Sequence, residues 1–219
     1  METGVEDTGD RRAESELGRS VRSDRTTMMD IPTGPRPSPG KPEWSLIVHP
    51  DTPSKGVQAV RVEAIYDGCA LLLTFIVEGS EHVALPDWVT SVRADGLWKT
   101  TCCELFLAPL GSEAYFEFNY SPSTQWAAYR FDGYRAGGTD LTLAVTPHVD
   151  RGDDESDFLV EVDQDLSDLP SGPLLMGLSA VIEEIDGTKS YWALAHAPGS
   201  PDFHNRDCFI ATLPAPRRP

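Results

Sequence analysis

The chain has 219 residues, of which 40% are hydrophobic, and this suits one domain with a sizeable core. Its 35 acidic residues against 18 basic ones give a formal net charge of -17, which repels nucleic-acid phosphates and anionic membrane surfaces. The composition therefore argues against nucleic acid and membranes as partners; it suits a neutral or cationic ligand, although solubility alone explains the charge equally well.

Residues 1–41 differ in composition from the rest of the chain. They are rich in acidic residues, arginine, proline and glycine, and they have few large apolar side chains. Such a segment cannot bury enough surface to offset the entropy of ordering it. The sequence therefore predicts a disordered N-terminal tail, followed by one domain over residues 42–219.

From residue 42 onward the pattern is typical of short β-strands. Residues 58–66 alternate between apolar and polar side chains, residues 69–77 are β-rich, and Asp67-Gly68 between them is a strong hairpin signal. Further strands are predicted at residues 102–107, 114–120, 125–131, 141–147, 158–162, 174–185, 190–195 and 208–213. A second turn is predicted at Asp186-Gly187. Short helical turns are predicted only at residues 86–92 and 165–169.

This succession of elements predicts an all-β fold. About ten short strands separated by turn residues indicate an antiparallel β-sandwich of the jelly-roll type.

The cysteines and the N-terminus indicate the compartment. Cys102 and Cys103 are adjacent, so on a strand their side chains point to opposite faces, and they form no metal or redox motif. We expect free, mostly buried thiols, as in a reducing compartment, although a disulfide from either residue to Cys208 stays open. No apolar run is long enough to cross a bilayer, and the N-terminus lacks the apolar core of a signal peptide. These features predict a cytoplasmic protein.

Aromatic and charged residues are concentrated between residues 97 and 135. With a period of two, Glu117 shares a strand face with Asn119, and Trp126 shares one with Arg130. If the strands are neighbours, these residues and Glu104 converge on one sheet surface. Aromatic faces beside hydrogen-bonding charges suit a flat polar ligand such as a sugar ring. The alternative is an internal salt-bridge network that only satisfies buried charges.

A second group of polar residues lies between Tyr191 and Phe209. His196, His204 and Asp207 occur there in a proline-containing segment. They could order a loop at the rim of a site, or they could ligate a metal, although the spacing matches no strong zinc signature. We predict no metal site. The acidic segment 150–157 lacks the regular spacing of a calcium loop and is interpreted as a solvated turn.

Catalysis is a weaker interpretation of the same residues. Glu104 and Glu117 could act as the carboxylate pair of a glycosidase, which needs a deep cleft and an acid with a raised pKa. Motifs of serine, cysteine and zinc hydrolases are absent from the sequence. We therefore predict no catalytic residues, and keep an accessory or weak glycoside-processing enzyme as an alternative.

Three blocks of sequence, at residues 95–107, 115–135 and 190–209, resemble bacterial DOMON-like domains related to the type 9 carbohydrate-binding module. The resemblance covers most of residues 44–215. It implies a β-sandwich with its ligand at one end or on a concave face. Trp98 lies six residues before Glu104, which resembles the tryptophan–glutamate spacing of the sugar-binding modules. Trp192 is similar to their second, late tryptophan, which encloses the sugar.

The resemblance implies a sugar or a haem as ligand. For haem, Met176 is the one methionine of the domain that could serve with a histidine as axial ligand, and calcium accompanies many sugar-binding modules, but no motif marks either. We predict non-catalytic binding of a small polar ligand, first a carbohydrate, with a haem-binding or redox-sensing domain as the alternative. The predicted ligand-binding residues are Trp98, Glu104, Glu117, Asn119, Trp126, Arg130, Trp192, His196 and His204.

Overall fold

A computed structural model of the chain describes residues 42–154 and 156–215. Within these residues the fold is all β, as the sequence predicts, and its only helices are single 3-10 turns at Ser80–His82, Leu97–Lys99 and Arg206–Cys208. None of these helical turns is long and apolar enough to span a membrane. The predicted disordered tail, residues 1–41, lies outside the described residues.

Twelve strands are present in the described part of the chain. They are β1 (Glu43–Val48), β2 (Ala59–Tyr66), β3 (Ala70–Glu78), β4 (Cys102–Pro109), β5 (Tyr115–Tyr120), β6 (Trp126–Phe131), β7 (Thr139–Asp140), β8 (His148–Asp154), β9 (Asp157–Asp165), β10 (Leu174–Glu183), β11 (Lys189–Ala193) and β12 (Ala211–Leu213).

Three sequence predictions about local structure are wrong. Residues 141–147 form no strand; they connect the short β7 to β8. Residues 86–92 are irregular, and residues 165–169 comprise the end of β9 and a turn, so neither segment is helical. In the segment predicted as a solvated acidic turn, 150–157, residues 150–154 belong to β8 and residue 157 begins β9.

All pairings between the strands are antiparallel, in the order β7-β6-β5-β4-β10-β11-β1-β2-β3-β9-β8, with β12 beside β10. β1 joins two sheets, because its first residues pair with β2 and its last two pair with β11. We call the half with β4–β7 and β10–β12 the front sheet, and the half with β2, β3, β8 and β9 the back sheet. Their inner faces share one hydrophobic core, so the two halves form a sandwich.

Both predicted Asp-Gly turns are confirmed. Asp67-Gly68 connects β2 to β3, with Gly68 at a φ of 102° and the aspartate accepting hydrogen bonds from two following backbone N–H groups. Asp186-Gly187 connects β10 to β11, with Gly187 at a φ of 84°. Glycine adopts positive φ without the clash that a Cβ would cause, so each pair fixes the register of its hairpin.

The core follows from the period of two along each strand. Leu105 on β4, Phe118 on β5 and Phe75 on β3 are fully buried between the sheets. Cys103 also faces this core, whereas Cys102 faces the other side of the front sheet, as predicted for adjacent cysteines on a strand. Both thiols are free, and burial raises the pKa of each.

Candidate functional site

The outer face of the front sheet bears a cleft of about 850 Å³. Its floor comes from strands β4, β5, β6, β10 and β11, and its rim comes from the short strand β7 and the loops around the cleft. The floor carries Glu104, Glu117, Tyr129, Phe131, Val181 and Tyr191. The rim carries Thr52, Asp95, Gly96, Trp98, Lys99, Arg135, Gly138, Thr139, Asp140, Pro201, Phe203 and His204.

Strand register places the two glutamates next to each other. Glu104 on β4 lies opposite Asn119 on β5 and Ser179 on β10. Glu117 is two residues before Asn119, so the glutamates are diagonal neighbours, a relation that separates Cα atoms by about 7–8 Å. Both carboxyl groups therefore lie on one surface, as the sequence predicts for these two residues.

Two small hydrophobic clusters flank the glutamates on this outer face. One contains Phe106, Tyr115 and Phe209 and is covered by the C-terminal loop. The other contains Leu97 and Cys102 under the loop that precedes β4. The clusters exclude water from the floor between them, which leaves Glu104 only 3% exposed and Glu117 only 5% exposed.

The surroundings of Glu104 favour its protonated, uncharged form. Burial, followed by the negative charge of Glu117, raises the pKa of Glu104 to about 8. The Ser179 hydroxyl opposes this shift by donating a hydrogen bond of 3.1 Å to Glu104 Oε2. A protonated carboxyl group can donate one hydrogen bond and accept others, so this position can serve either role toward a ligand.

Glu117 has neutral hydrogen-bonding neighbours. Asn119 Nδ2 donates to its Oε1 at 2.7 Å, and His204 Nε2 lies 3.7 Å from its Oε2. Burial raises the pKa of Glu117, and the Asn119 hydrogen bond opposes that shift. Among the described residues, no lysine or arginine nitrogen lies within 4.0 Å of the Glu104 or Glu117 carboxylate oxygens.

His204 is held as a neutral imidazole. Its Nδ1 shares a hydrogen bond of 2.7 Å with the Tyr115 hydroxyl, and its ring packs edge-on against Phe106 and Phe131. Burial, followed by the charge of Arg135, lowers the pKa of His204 to about 4. The predicted rim histidine is therefore an uncharged hydrogen-bonding wall of the cleft at neutral pH.

Charges at the rim are mostly paired with one another. Arg135 contacts Asp202 at 2.7 Å, and Arg93 contacts Asp95 at 2.9 Å and Asp140 at 2.5 Å. The Tyr129 hydroxyl also donates to Asp95 at 2.7 Å. The rim cations are thus paired with aspartates, but Arg135 also acts on the floor, where its positive charge opposes the raised pKa of Glu104 and Glu117.

Trp98 is the one tryptophan on the cleft. It lies in the 3-10 turn that follows Gly96, whose φ is 73°, and the residue is 50% exposed. Lys99 Nζ lies 5.7 Å from the ring centroid. An exposed indole at the rim is available for stacking against a ligand.

The prediction placed Trp126 and Arg130 at the ligand site, but neither residue lines the cleft. In β6, Tyr129 lies opposite Glu117 and Ala127 opposite Asn119, so residues of even number point the other way. Trp126 is buried in the core between the sheets, and Arg130 is half exposed and contacts Asp132 at 2.9 Å. The prediction placed Trp126 and Arg130 on the same surface as Glu117, whereas the β6 residues on that surface are Ala127 and Tyr129. Neighbouring residues of a strand point to opposite faces, so an error of one residue exchanges the two faces.

Trp192 requires the same correction. It lies opposite Ala180 in the core, where its Nε1 donates a hydrogen bond of 2.9 Å to Ser190 Oγ. The neighbouring Tyr191 faces the cleft instead. The resemblance implied a second stacking tryptophan at position 192, but the side chain that faces the cleft in this part of β11 is Tyr191.

His196 lies outside the cleft lining. Its Nε2 is hydrogen-bonded to the Ile47 carbonyl at 2.7 Å, and its ring contacts His49 edge-on. The described residues contain no group of three side chains that could hold a metal ion. Met176 is fully buried in the core, on the β10 face opposite the cleft, so it is unavailable as an axial ligand to a haem bound there.

The cleft contains residues that the sequence analysis missed. They are Tyr129, Phe131, Arg135, Tyr191 and Phe203. The signal for Tyr129 and Tyr191 was present, because each lies one position from a predicted residue, but the strand register was needed to choose between neighbours. Arg135 and Phe203 lie on loops, where no periodicity indicates orientation.

Comparison with solved structures identifies proteins of similar fold. A protein from Bacteroides uniformis to which a carbohydrate-binding function is ascribed aligns over 80% of this chain and 86% of its own, with a TM-score of 0.57 and 17% identity. A family 9 carbohydrate-binding module from Caldicellulosiruptor kristjanssonii, solved with cellotriose, aligns over 80% and 82%, with a TM-score of 0.49 and 11% identity. Neither models of protein families nor curated protein sequences match the chain. The first of these similarities shows a shared fold.

Proposed function

We propose that the cleft binds a carbohydrate and that it does so without catalysis. The observation that supports this most directly is the pair of buried carboxyl groups at its floor, set among aromatic side chains. The resemblance to DOMON-like domains and the function ascribed to the Bacteroides uniformis protein support the same proposal.

Each part of the cleft has a role in this proposal. The face of Trp98 packs against the C–H groups of a sugar ring, which present an apolar surface. Glu104 and Glu117 form hydrogen bonds with ring hydroxyls, and the neutral His204 adds a further polar contact. These hydrogen bonds form where water is excluded, so a polar group of the site or of the ligand that finds no partner costs its full desolvation free energy. That cost makes the site selective among sugars.

The test is calorimetric titration of the full chain with mono- and disaccharides. We expect saturable binding of at least one sugar and a loss of affinity in Trp98→Ala of about 1–3 kcal/mol. The matched control is Trp88→Ala, because Trp88 is similarly exposed at 53% but lies outside the cleft lining. An absence of binding across the sugars, or an equal loss in both variants, would contradict the proposal.

Glycoside hydrolysis is a second candidate, favoured by one specific observation. A protonated Glu104 beside Glu117 in a cleft meets the requirement for an acid with a raised pKa. The test is release of reducing ends from oligosaccharides by the wild-type chain and by Glu104→Gln. Release by the wild type alone supports hydrolysis, whereas binding without release supports the non-catalytic proposal.

A further inference from the structure

We propose that the cleft selects a sugar that bears a protonated amine over a neutral sugar of the same size. This inference rests on the proposed function, because it specifies the class of carbohydrate that the same site takes. It is supported by the distribution of charge and by the aromatic lining of the cleft.

The floor holds two carboxyl groups that form no direct ion pair with a lysine or arginine of the described residues, although the charge of Arg135 acts on both of them from a greater distance. Within the described residues, Glu104 and Glu117 have no lysine or arginine nitrogen within 4.0 Å, while Arg93 and Arg135 contact rim aspartates. The chain as a whole has a net charge of -17, which adds to a field that attracts cations. An ammonium group at the floor would supply a direct ion pair, which Arg135 does not because it contacts Asp202.

A bound amine would also change the protonation state of Glu104. A positive charge beside a carboxyl group favours its ionised form. An ammonium group would therefore lower the pKa of Glu104, which releases its proton to solvent, and the ionised pair forms charge-assisted hydrogen bonds, which are about twice as strong as neutral ones. A hydroxyl leaves the proton on Glu104 and gains only a neutral bond with it.

The aromatic lining suits the same ligand. Tyr129, Phe131 and Tyr191 line the floor, and Trp98 and Phe203 line the rim. Aromatic faces attract cations as well as the C–H surface of a sugar ring. Arg93 lies 5.2 Å from the Tyr129 centroid and Lys99 lies 5.7 Å from the Trp98 centroid, so contact with a ligand amine falls to the other rings of the lining, Phe131, Tyr191 and Phe203. A sugar amine combines both kinds of contact.

The experiment is calorimetric titration of the full chain at pH 6.5 with four probes. They are the glucosamine disaccharide, its N-acetylated counterpart, cellobiose, and 1,4-diaminobutane as an amine without a sugar. We expect the glucosamine disaccharide to bind about tenfold more tightly than each of the others, the difference between a charge-assisted and a neutral contact.

Each other outcome overturns the inference in a distinguishable way. Equal or tighter binding of cellobiose or the acetylated sugar would overturn the amine preference and leave carbohydrate binding intact. Equal binding of the diamine would show that the sugar ring is not recognised. If none of the probes binds, the proposed function fails together with the inference.

Substitution of the two floor glutamates tests whether they cause the preference for an amine-bearing sugar. Glu104→Gln and Glu117→Gln should each reduce the ratio of amine-sugar to cellobiose affinity by about tenfold, because glutamine cannot supply the charge. The control is Glu161→Gln, an exposed position on the back sheet that removes one charge elsewhere. An equal reduction in this control would assign the preference to net charge and overturn the inference.

Discussion

Glu104 and Glu117 destabilise the fold that holds them, because each carboxyl group is removed from water among apolar side chains. Ser179 and Asn119 offset part of that penalty through one hydrogen bond to each glutamate. A pair of apolar residues would fill the same space without the electrostatic penalty. Two buried acids on a cleft floor are therefore costly to the fold, and this cost is consistent with the proposal that they bind a ligand.

The first residue-scale prediction concerns pH. Glu104 has a pKa of about 8 in the folded chain, against about 4.3 when unfolded, so the folded state holds its proton more tightly. The contribution of Glu104 to the free energy of unfolding is therefore fully present below the unfolded pKa, and it is lost as the pH rises through 8. We expect the thermal midpoint to fall from pH 5.5 to 8.5, and to fall less steeply in Glu104→Gln. Identical slopes would contradict a buried, protonated Glu104.

A second residue-scale prediction separates the tryptophans. Trp126→Ala removes a core side chain and should lower the free energy of unfolding by about 3–5 kcal/mol. Trp98→Ala removes a ring that is half exposed, so its effect on stability should stay below about 1 kcal/mol. Urea denaturation of both variants measures the difference. Similar losses in the two variants would place Trp98 in the core instead of at the rim.

At the scale of secondary-structure elements, the cleft depends on the C-terminal loop, residues 194–210, which connects β11 to β12 and covers part of the front sheet. Gly177 on β10 lies under this loop, and a Cβ there would meet the Phe209 ring at 2.6 Å. Phe209 packs on Phe106 and Tyr115, and Tyr115 in turn is hydrogen-bonded to His204. The small residue on β10 thus allows the loop to reach its place on the cleft.

We predict that Gly177→Ala weakens ligand binding as well as stability. The added methyl group displaces Phe209 and loosens the loop, an overpacking that should lower the free energy of unfolding by about 1–3 kcal/mol. Gly187→Ala is the control, because its positive φ makes alanine costly by about 1–2 kcal/mol, while its Cβ meets no atom within 4 Å. Calorimetry should show reduced sugar affinity only for Gly177→Ala. Equal affinities would show that the loop does not shape the site.

At the scale of the whole molecule, the excess of acidic residues opposes compaction. A net charge of -17 produces self-repulsion that salt screens. We therefore expect the thermal midpoint to rise when sodium chloride increases from about 10 mM to about 150 mM, as the Debye length shortens from roughly 30 Å to 8 Å. A midpoint that falls with salt would indicate that ion pairs such as Arg93 with Asp95 and Asp140 dominate instead.

The sequence by itself determined the all-β class and the two Asp-Gly hairpins, and it predicted that Glu104 and Glu117 share one surface if their strands are neighbours. These features depend on local turn chemistry and on the period of two, which act over a few residues. The predicted tail and the cytoplasmic location stay predictions.

Only the tertiary structure decided which aromatic residues face the cleft. Tyr129 and Tyr191 line it, whereas Trp126 and Trp192 lie in the core. Strand alternation gives two opposite faces but does not say which of them is inside, and on the front sheet both faces are covered by apolar residues. The choice is made by pairing between strands far apart in the chain, and by loops that bring Arg135 and Phe203 over the sheet, so it could not be read from local pattern.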